Sequence, residues 1–320
     1  IISDDGDTDL TVTNNEILNV AGDSNATDFD NDGTTNNVEI SDNTFDSDNS
    51  YTAVATADDA LANSNGDEFV VSGNTIDGAS EGVNLAQLQD DSDVVISIDN
   101  NEFLNITADA GQQDAGVFVN DYEDGGVELT IADNIFSAAD GENVDGVNIV
   151  DVGVSSPPAD NIAIEENTFS GVDDESGSGT ALLLGSSQND IAISNIVDNS
   201  FEANAEHFDA TSGGYDNSDI NTLINNNQFG DTVFVSNTEQ STDVSDLEAN
   251  QLHGTIEAAE ADADASDEFV NVGPGTYDES GITTGQSGVT IVSVDGADQT
   301  TITSEADADI LDVQNNNVVV

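Results

Sequence analysis

Ile40-Ser41-Asp42-Asn43-Thr44-Phe45 carries a pattern, apolar-x-x-Asn-x-apolar, that returns eight times in the first three quarters of the chain. The copies run from Val12 to Ile17, Ile40 to Phe45, Val71 to Ile76, Ile98 to Phe103, Ile131 to Phe136, Ile164 to Phe169, Ile196 to Phe201 and Ile224 to Phe229. Their asparagines are Asn15, Asn43, Asn74, Asn101, Asn134, Asn167, Asn199 and Asn227, separated by steps of 28, 31, 27, 33, 33, 32 and 28 residues. An irregular period in this range is the sign of a solenoid, in which each repeat is one turn of chain stacked on the last.

Working outward, apolar residues in each copy alternate with polar ones, as Ile96 and Ile98 do with Ser97 and Asp99. That is the period of a strand with one buried face. A second apolar run precedes most copies: Val83 and Leu85, Val117 and Val119, Val147 and Ile149, Leu182 and Leu184. Gly, Asp, Asn and Ser clusters between the runs are turn chemistry. Two or three short strands per turn, with no 3.6-residue apolar stripe, describe an all-β parallel β-helix of about ten coils with a short helical cap or linker. Stacking at about 4.8 Å sets equivalent residues in columns. One expected column is Ile17, Phe45, Ile76, Phe103, Phe136, Phe169, Phe201 and Phe229; its neighbour is the eight asparagines. Asn tolerates the left-handed backbone of a sharp corner, and its amide can donate to one neighbour and accept from the other. An asparagine ladder is therefore expected there, with each asparagine at the left-handed position.

The chain carries 67 Asp and Glu, no Lys, no Arg, and a formal charge of −67. Such charge presses a compact state apart. At about 1 M salt the Debye length is roughly 3 Å and most of the repulsion is screened, so the composition points to a halophilic source. With 36% apolar residues the chain still has the material for a core. No Lys or Arg means no phosphate-neutralising surface, which excludes nucleic acid and anionic membranes as partners. No apolar run is long enough to span a bilayer. With no Cys there is no disulfide frame or thiol chemistry.

The repeated I-x-x-N-x-F pattern resembles the coils of right-handed parallel β-helix proteins, the pectate-lyase-like superfamily. A second match lies in Phe269-Val270-Asn271-Val272-Gly273-Pro274-Gly275-Thr276-Tyr277-Asp278-Glu279, which is similar to the strand and turn with which many such domains begin. A helix candidate, Thr255 to Ala259, precedes it, and Ser245-Asp246-Leu247-Glu248 has the form of a capping box. Gly254 is expected to divide this segment into two short helices, with His253 in the first. The expected organisation is a β-helix body over 1–241, a helical cap or linker over 242–266, and the first coils of a following β-helix unit over 267–320. A start-type segment placed after a complete run of coils suggests a tandem array. Val320 read on into Ile1 gives a continuous strand and turn, so copies joined or stacked end to end into a fibre are the expected partners, with cell-surface glycans a further possibility.

The resemblance implies an enzyme acting on acidic polysaccharides, but lyases of that group use Arg or Lys, and none is present. No carboxylate pair stands out for glycoside hydrolysis, and the charge repels an acidic polymer. No catalytic residue and no catalytic cofactor is assigned. The sharpest local motif is Asp28 to Glu39, whose D-x-D-x-D-G-x5-E spacing matches a calcium loop. Asp28, Asp30, Asp32, the Thr34 carbonyl, Asn36 and Glu39 would be the ligands of a structural Ca2+; Asp4, Asp7 and Asp9 form a looser cluster. Asn25 and Asn105 open N-x-T sequons at expected loop positions, open to glycosylation of an exported chain. The leading expectation is an extracellular, cell-surface structural β-solenoid, a repeat or subunit of a filament or adhesive fibre of a halophilic archaeon. A β-helix carbohydrate-active enzyme or glycan-binding module is the alternative.

Overall fold

A computed structural model of the chain describes residues 10–20, 25–29, 37–47, 51–56, 65–86, 88, 93–108, 114–120, 122, 127–139, 142, 144–150, 161–172, 179–184, 191–202, 207–209, 222–223, 226–229, 233–236, 252–253, 255–263, 269–273, 275–279, 282–284, 289–293, 300–304 and 310–313. Strands from successive repeats pair in parallel and in register, and three sheets result. The first sheet holds the strand before each corner, from Leu10–Thr13 and Val38–Ser41 through Asn65–Ser72, Asp93–Asp99, Glu128–Ala132 and Ile162–Glu165 to Ile196–Val197. The second holds the strand after the corner, from Glu16–Leu18 and Thr44–Asp46 to Ser200–Glu202 and Gln228–Phe229. The third holds the second apolar run, from Asn25–Phe29 and Thr52–Thr56 through Glu81–Leu85, Ala115–Val119, Asp145–Ile149 and Leu182–Leu184 to Phe208–Asp209. This is an all-β parallel β-solenoid.

The longest face counts eight strands, fewer than the ten or so coils expected. The remaining coils belong to separate sheets. Phe269–Val272 pairs in parallel with Thr290–Ser293, Gly275–Asp278 with Thr300–Thr303, and Ile282–Thr284 with Leu311–Val313. This C-terminal unit has its own apolar cluster, built from Ile256, Ala259, Val270, Val272, Tyr277, Ile282, Val289 and Ile291. Its first strand is also paired on the other side: Val233–Ser236 runs antiparallel to Phe269–Val272, and Leu252–His253 runs antiparallel to Val233–Ser236. One reversed strand, Val233–Ser236, backed by Leu252–His253, thus covers the edge that a preceding parallel coil would occupy, and blocking a sheet edge ends its propagation.

The main column tapers before that point. On the first sheet the strand shortens from Glu128–Ala132 to Ile162–Glu165 to the two residues Ile196–Val197, which follow a 3₁₀ turn at Ile193–Asn195. In the eighth repeat Thr222, Leu223 and Asn226 are helical. Ile224 itself lies outside the described residues; among those described, the second half of that copy, Gln228–Phe229, joins a sheet.

One helix, Ile256–Asp262, lies ahead of the C-terminal coils. The expectation of two short helices around Gly254 is corrected, because Leu252–His253 is a strand of the reversed pair. The proposed capping box at residues 245–248 lies outside the described residues. Helix Ile256–Asp262 is capped by Thr255, whose hydroxyl accepts from the Ala258 N–H at 3.1 Å, together with Glu279 from the start-type segment. Its Oε1 accepts from the Ile256 N–H at 2.7 Å and its Oε2 from the Glu257 N–H at 3.0 Å. A carboxylate bound to the first free N–H groups of a helix also sits at the positive end of the helix dipole.

Candidate functional site

The internal columns of the body are its most highly organised feature. Each ladder asparagine between Asn43 and Asn199 uses its whole amide. Its Nδ2 donates to the Oδ1 of the asparagine one coil later at 2.9–3.0 Å. The same Nδ2 donates to a carbonyl of the first sheet one coil earlier at 2.8–2.9 Å, as Asn134 does to Ile98 and Asn167 to Ile131. Its Oδ1 accepts from both the backbone N–H and the Nδ2 of the preceding asparagine. Its own carbonyl accepts from the first residue of the next coil's second strand, as Asn134 does from Thr168 at 2.8 Å. Burial without loss of hydrogen bonds is what makes such a row of amides stable. At Asn227 the row ends on the chain itself: its Nδ2 donates to Ile196 O and to Leu223 O, in the helical turn.

The ladder asparagines are not the residues with left-handed backbone. That conformation belongs to the residue before each of seven of them: Asn14, Asp42, Gly73, Asn100, Asp133, Glu166 and Asp198, with φ between 53° and 63°. The expected placement is thus corrected by one residue. The corner needs positive φ where the chain first leaves the strand, and Asn, Asp and Gly accept it at least cost. Glu166 has no such excuse, and nothing in the structure explains it. All seven corner residues are exposed.

Behind the ladder lies the phenyl column. Phe103, Phe136, Phe169 and Phe201 stack with centroids 4.8, 4.8 and 5.0 Å apart and planes within 7°. The third sheet makes room for them with a row of small residues, Ala53, Gly82, Gly116, Gly146 and Ala181, set between the register pairs on either side. A Cβ at Gly82, Gly116 or Gly146 would lie 2.4, 2.5 or 2.6 Å from the Cδ1 of Phe103, Phe136 or Phe169. This row was not read from the sequence. Its signal was present in the repeated Glu81-Gly82-Val83-Asn84-Leu85 and Asp145-Gly146-Val147-Asn148-Ile149. The column closes on His207, fully buried and edge-on to Phe201 at 6.1 Å. Burial, reinforced by the charge of His253, lowers its pKa to about 3.

Of the calcium-loop residues, Asp30, Asp32, Thr34 and Asn36 lie outside the described residues, as do Asp4, Asp7 and Asp9. Asp28 is a half-buried residue of strand Asn25–Phe29. Glu39 is exposed on Val38–Ser41 and accepts from the Ser41 hydroxyl at 2.8 Å. Among the described residues no group of three or more His, Asp or Glu converges as a metal site. Both sequon asparagines are exposed, but they stand on strands and not in loops. Asn25 opens Asn25–Phe29, and the Thr27 hydroxyl is buried, donating to Ala53 O at 2.7 Å. Asn105 lies in Glu102–Ile106 with φ of 48°, its Nδ2 bonded to Asp77 at 2.8 Å. No helix among the described residues is long and apolar enough to cross a membrane. No known family, curated protein or solved structure matches the chain.

Proposed function

We propose that this chain is a structural element, a stiff solenoid from a cell-surface filament or adhesive fibre of a halophilic organism. The observation that carries the reading is the uninterrupted amide ladder from Asn15 to Asn227, backed by the stacked phenyl rings. Each coil is bonded to its neighbours through three sheets and through its interior, so bending the column strains every layer together. Eight coils at about 4.8 Å make a column roughly 40 Å long. The start-type segment that follows a finished column supports membership of a tandem array, in which capped units succeed one another. The excess of 67 acidic residues with no Lys or Arg supports a protein that works in concentrated salt, with cations screening its surface. Export, glycosylation at Asn25 or Asn105, and Ca2+ at Asp28 to Glu39 belong to the same proposal.

Electron microscopy of material isolated from its native source in brine tests the reading. Fibres with a regular axial repeat no shorter than the roughly 40 Å of one eight-coil column at strand spacing are expected. Dispersed particles that cleave or bind neutral glycans would replace this proposal with the carbohydrate-active alternative. Dilution from about 1 M salt to about 0.01 M, which lengthens the Debye length from roughly 3 to roughly 30 Å, is expected to abolish the β-sheet circular dichroism signal. Unchanged spectra would remove the halophilic part.

A further inference from the structure

The first layer of the body is half open. Leu10, Val12 and Ile17 register with Val38, Ile40 and Phe45 one coil later. Those three are buried, yet Leu10, Val12 and Ile17 are only half-buried, and Asn15 is exposed where the other seven ladder asparagines are buried. The C-terminal coils show the same state at their last layer. Tyr277 and Ile282 are buried, while their register partners Ile302 and Leu311 are half-buried. Among the described residues, Leu10–Thr13 and Thr300–Thr303 each lie last in their sheets.

These two edges match in backbone and in charge. The Glu279 N–H donates to Thr303 O at 2.9 Å, as the Asn14 N–H does to Ser41 O at 3.2 Å. Gly275–Asp278 and Thr300–Thr303 are therefore the counterparts of Leu10–Thr13 and Val38–Ser41, the strands before the corner. Successive residues of a parallel strand turn their N–H and C=O to opposite neighbours. The Leu10 N–H donates inward to Asn37 O at 2.8 Å, so Thr11 and Thr13 turn theirs to the open edge. Thr303 O accepts inward from Glu279, so Thr300 and Ile302 turn theirs to the other open edge. Natural edge strands are commonly guarded by charge. Every other strand of the first sheet longer than two residues carries an acid, among them Glu39, Glu68, Asp99, Glu128 and Glu165. Leu10–Thr13 and Thr300–Thr303 carry none, in a chain that has 67.

We infer that Thr300–Thr303 of one copy of this chain pairs in parallel with Leu10–Thr13 of a second copy, Thr300 against Leu10 and Ile302 against Val12. In this register the Ile302 N–H donates to Thr11 O of the second copy, whose Thr13 N–H donates to Ile302 O. That is the offset that Leu10 and Asn37 show inside the body. Ile302 then covers Val12, and Leu311 comes over Ile17. The contact is head to tail and does not close, so it repeats into a column. It rests on the reading of the chain as a filament unit, and adds which edges meet, in what direction and in what register. Two copies of charge −67 repel, so the contact needs salt near 1 M, where the Debye length is roughly 3 Å.

The chain has no cysteine, so Thr11→Cys and Thr301→Cys, both at exposed positions, report the register. Paired strands bring these two Cα atoms to about 4.8 Å, within the span of about 4.4–6.8 Å that a disulfide bridges. Mixed under mild oxidation in about 1 M KCl, the two single variants are expected to give a mixed disulfide dimer. Thr11→Cys with Val95→Cys, exposed on an interior strand, is expected to give far less. Equal yields from the two mixtures overturn the inference. Thr11→Pro removes an N–H that only the open edge uses, a change that edge strands tolerate. By sedimentation it is expected to be monomeric, with unchanged circular dichroism, where wild type forms concentration-dependent oligomers. Oligomers like those of wild type overturn the inference; should Thr11→Pro lose its β-sheet signal, the disulfide decides. Fibres in native material without this disulfide overturn the contact and keep the filament, whereas the disulfide without native fibres keeps the contact and removes the filament.

Discussion

At the scale of the residue, Asn134 and Gly116 carry the same lesson from opposite sides of the core. Replacing Asn134 with Ala strands the Asn101 N–H, takes one acceptor from Asn101 Nδ2 and one donor from the Ile98 carbonyl, and leaves Asn167 Oδ1 with only the residue-134 N–H. Buried groups left without partners cost more than the bonds themselves are worth, so a loss of about 3–5 kcal/mol is expected. Asn15→Ala, at an exposed position in the ladder, should cost under about 1 kcal/mol. Urea titration in high salt compares the two, and equal losses would mean that the ladder is not what holds the coils together. Gly116→Ala adds a methyl 2.5 Å from Phe136 Cδ1 and 2.8 Å from the Gly146 carbonyl. Overpacking of this kind costs about 1–3 kcal/mol, and a Tm unchanged from wild type would show that the phenyl stack yields.

The helix Ile256–Asp262 is the element where distant sequence decides local structure. Seven residues are too few to hold a helix by propensity in water. Its apolar face joins the C-terminal cluster through Ile256 and Ala259, and its first N–H groups are closed by Glu279. Glu279→Gln keeps the shape but removes the charge and one acceptor, and a loss of about 1–2 kcal/mol is expected. Amide exchange at Ile256 and Glu257 should accelerate selectively. Exchange that stays at the wild-type rate would mean that packing alone holds the helix. The glutamate that ends the Pro274-Gly275-Thr276-Tyr277-Asp278-Glu279 segment is thus a cap for a helix some twenty residues earlier in the chain.

For the whole molecule, the two histidines are buried in separately built parts. His207 ends the phenyl column of the body, while His253 sits in the reversed strand pair over the first C-terminal coil. An unfolded histidine titrates near 6.5, whereas burial holds His207 at about 3. Between those values the unfolded chain binds a proton that the folded chain refuses, so this histidine makes stability fall as pH drops from about 6.5 towards 3. Above 6.5 it contributes nothing. At pH 4.5 the penalty is roughly 2–3 kcal/mol. His207→Phe, an aromatic that cannot ionise, should lose less stability than wild type between pH 7 and 4.5. Parallel pH profiles would show that His207 gains its proton without disturbing the buried column it closes. Comparing the two chains cancels the titration of the acidic surface, which they share.

The order of residues by itself determined the period, two or three short strands in each coil, the inward rows of asparagine and phenylalanine, and a negative charge that no Lys or Arg offsets. Each follows from alternation, repetition or charge, which are properties of a one-dimensional string. Only the tertiary structure decided which corner residue takes the left-handed backbone, because Asp42 and Asn43 are equally able to do so and stacking alone assigns the ladder to the second. Stacking also decided that Gly116 must stay small, since its neighbour Phe136 is twenty residues away along the chain. It likewise decided that the C-terminal coils are closed on one edge, where Val233–Ser236 reverses against Phe269–Val272. Strand direction is set by which edge is free to pair, and no residue pattern within either strand records it.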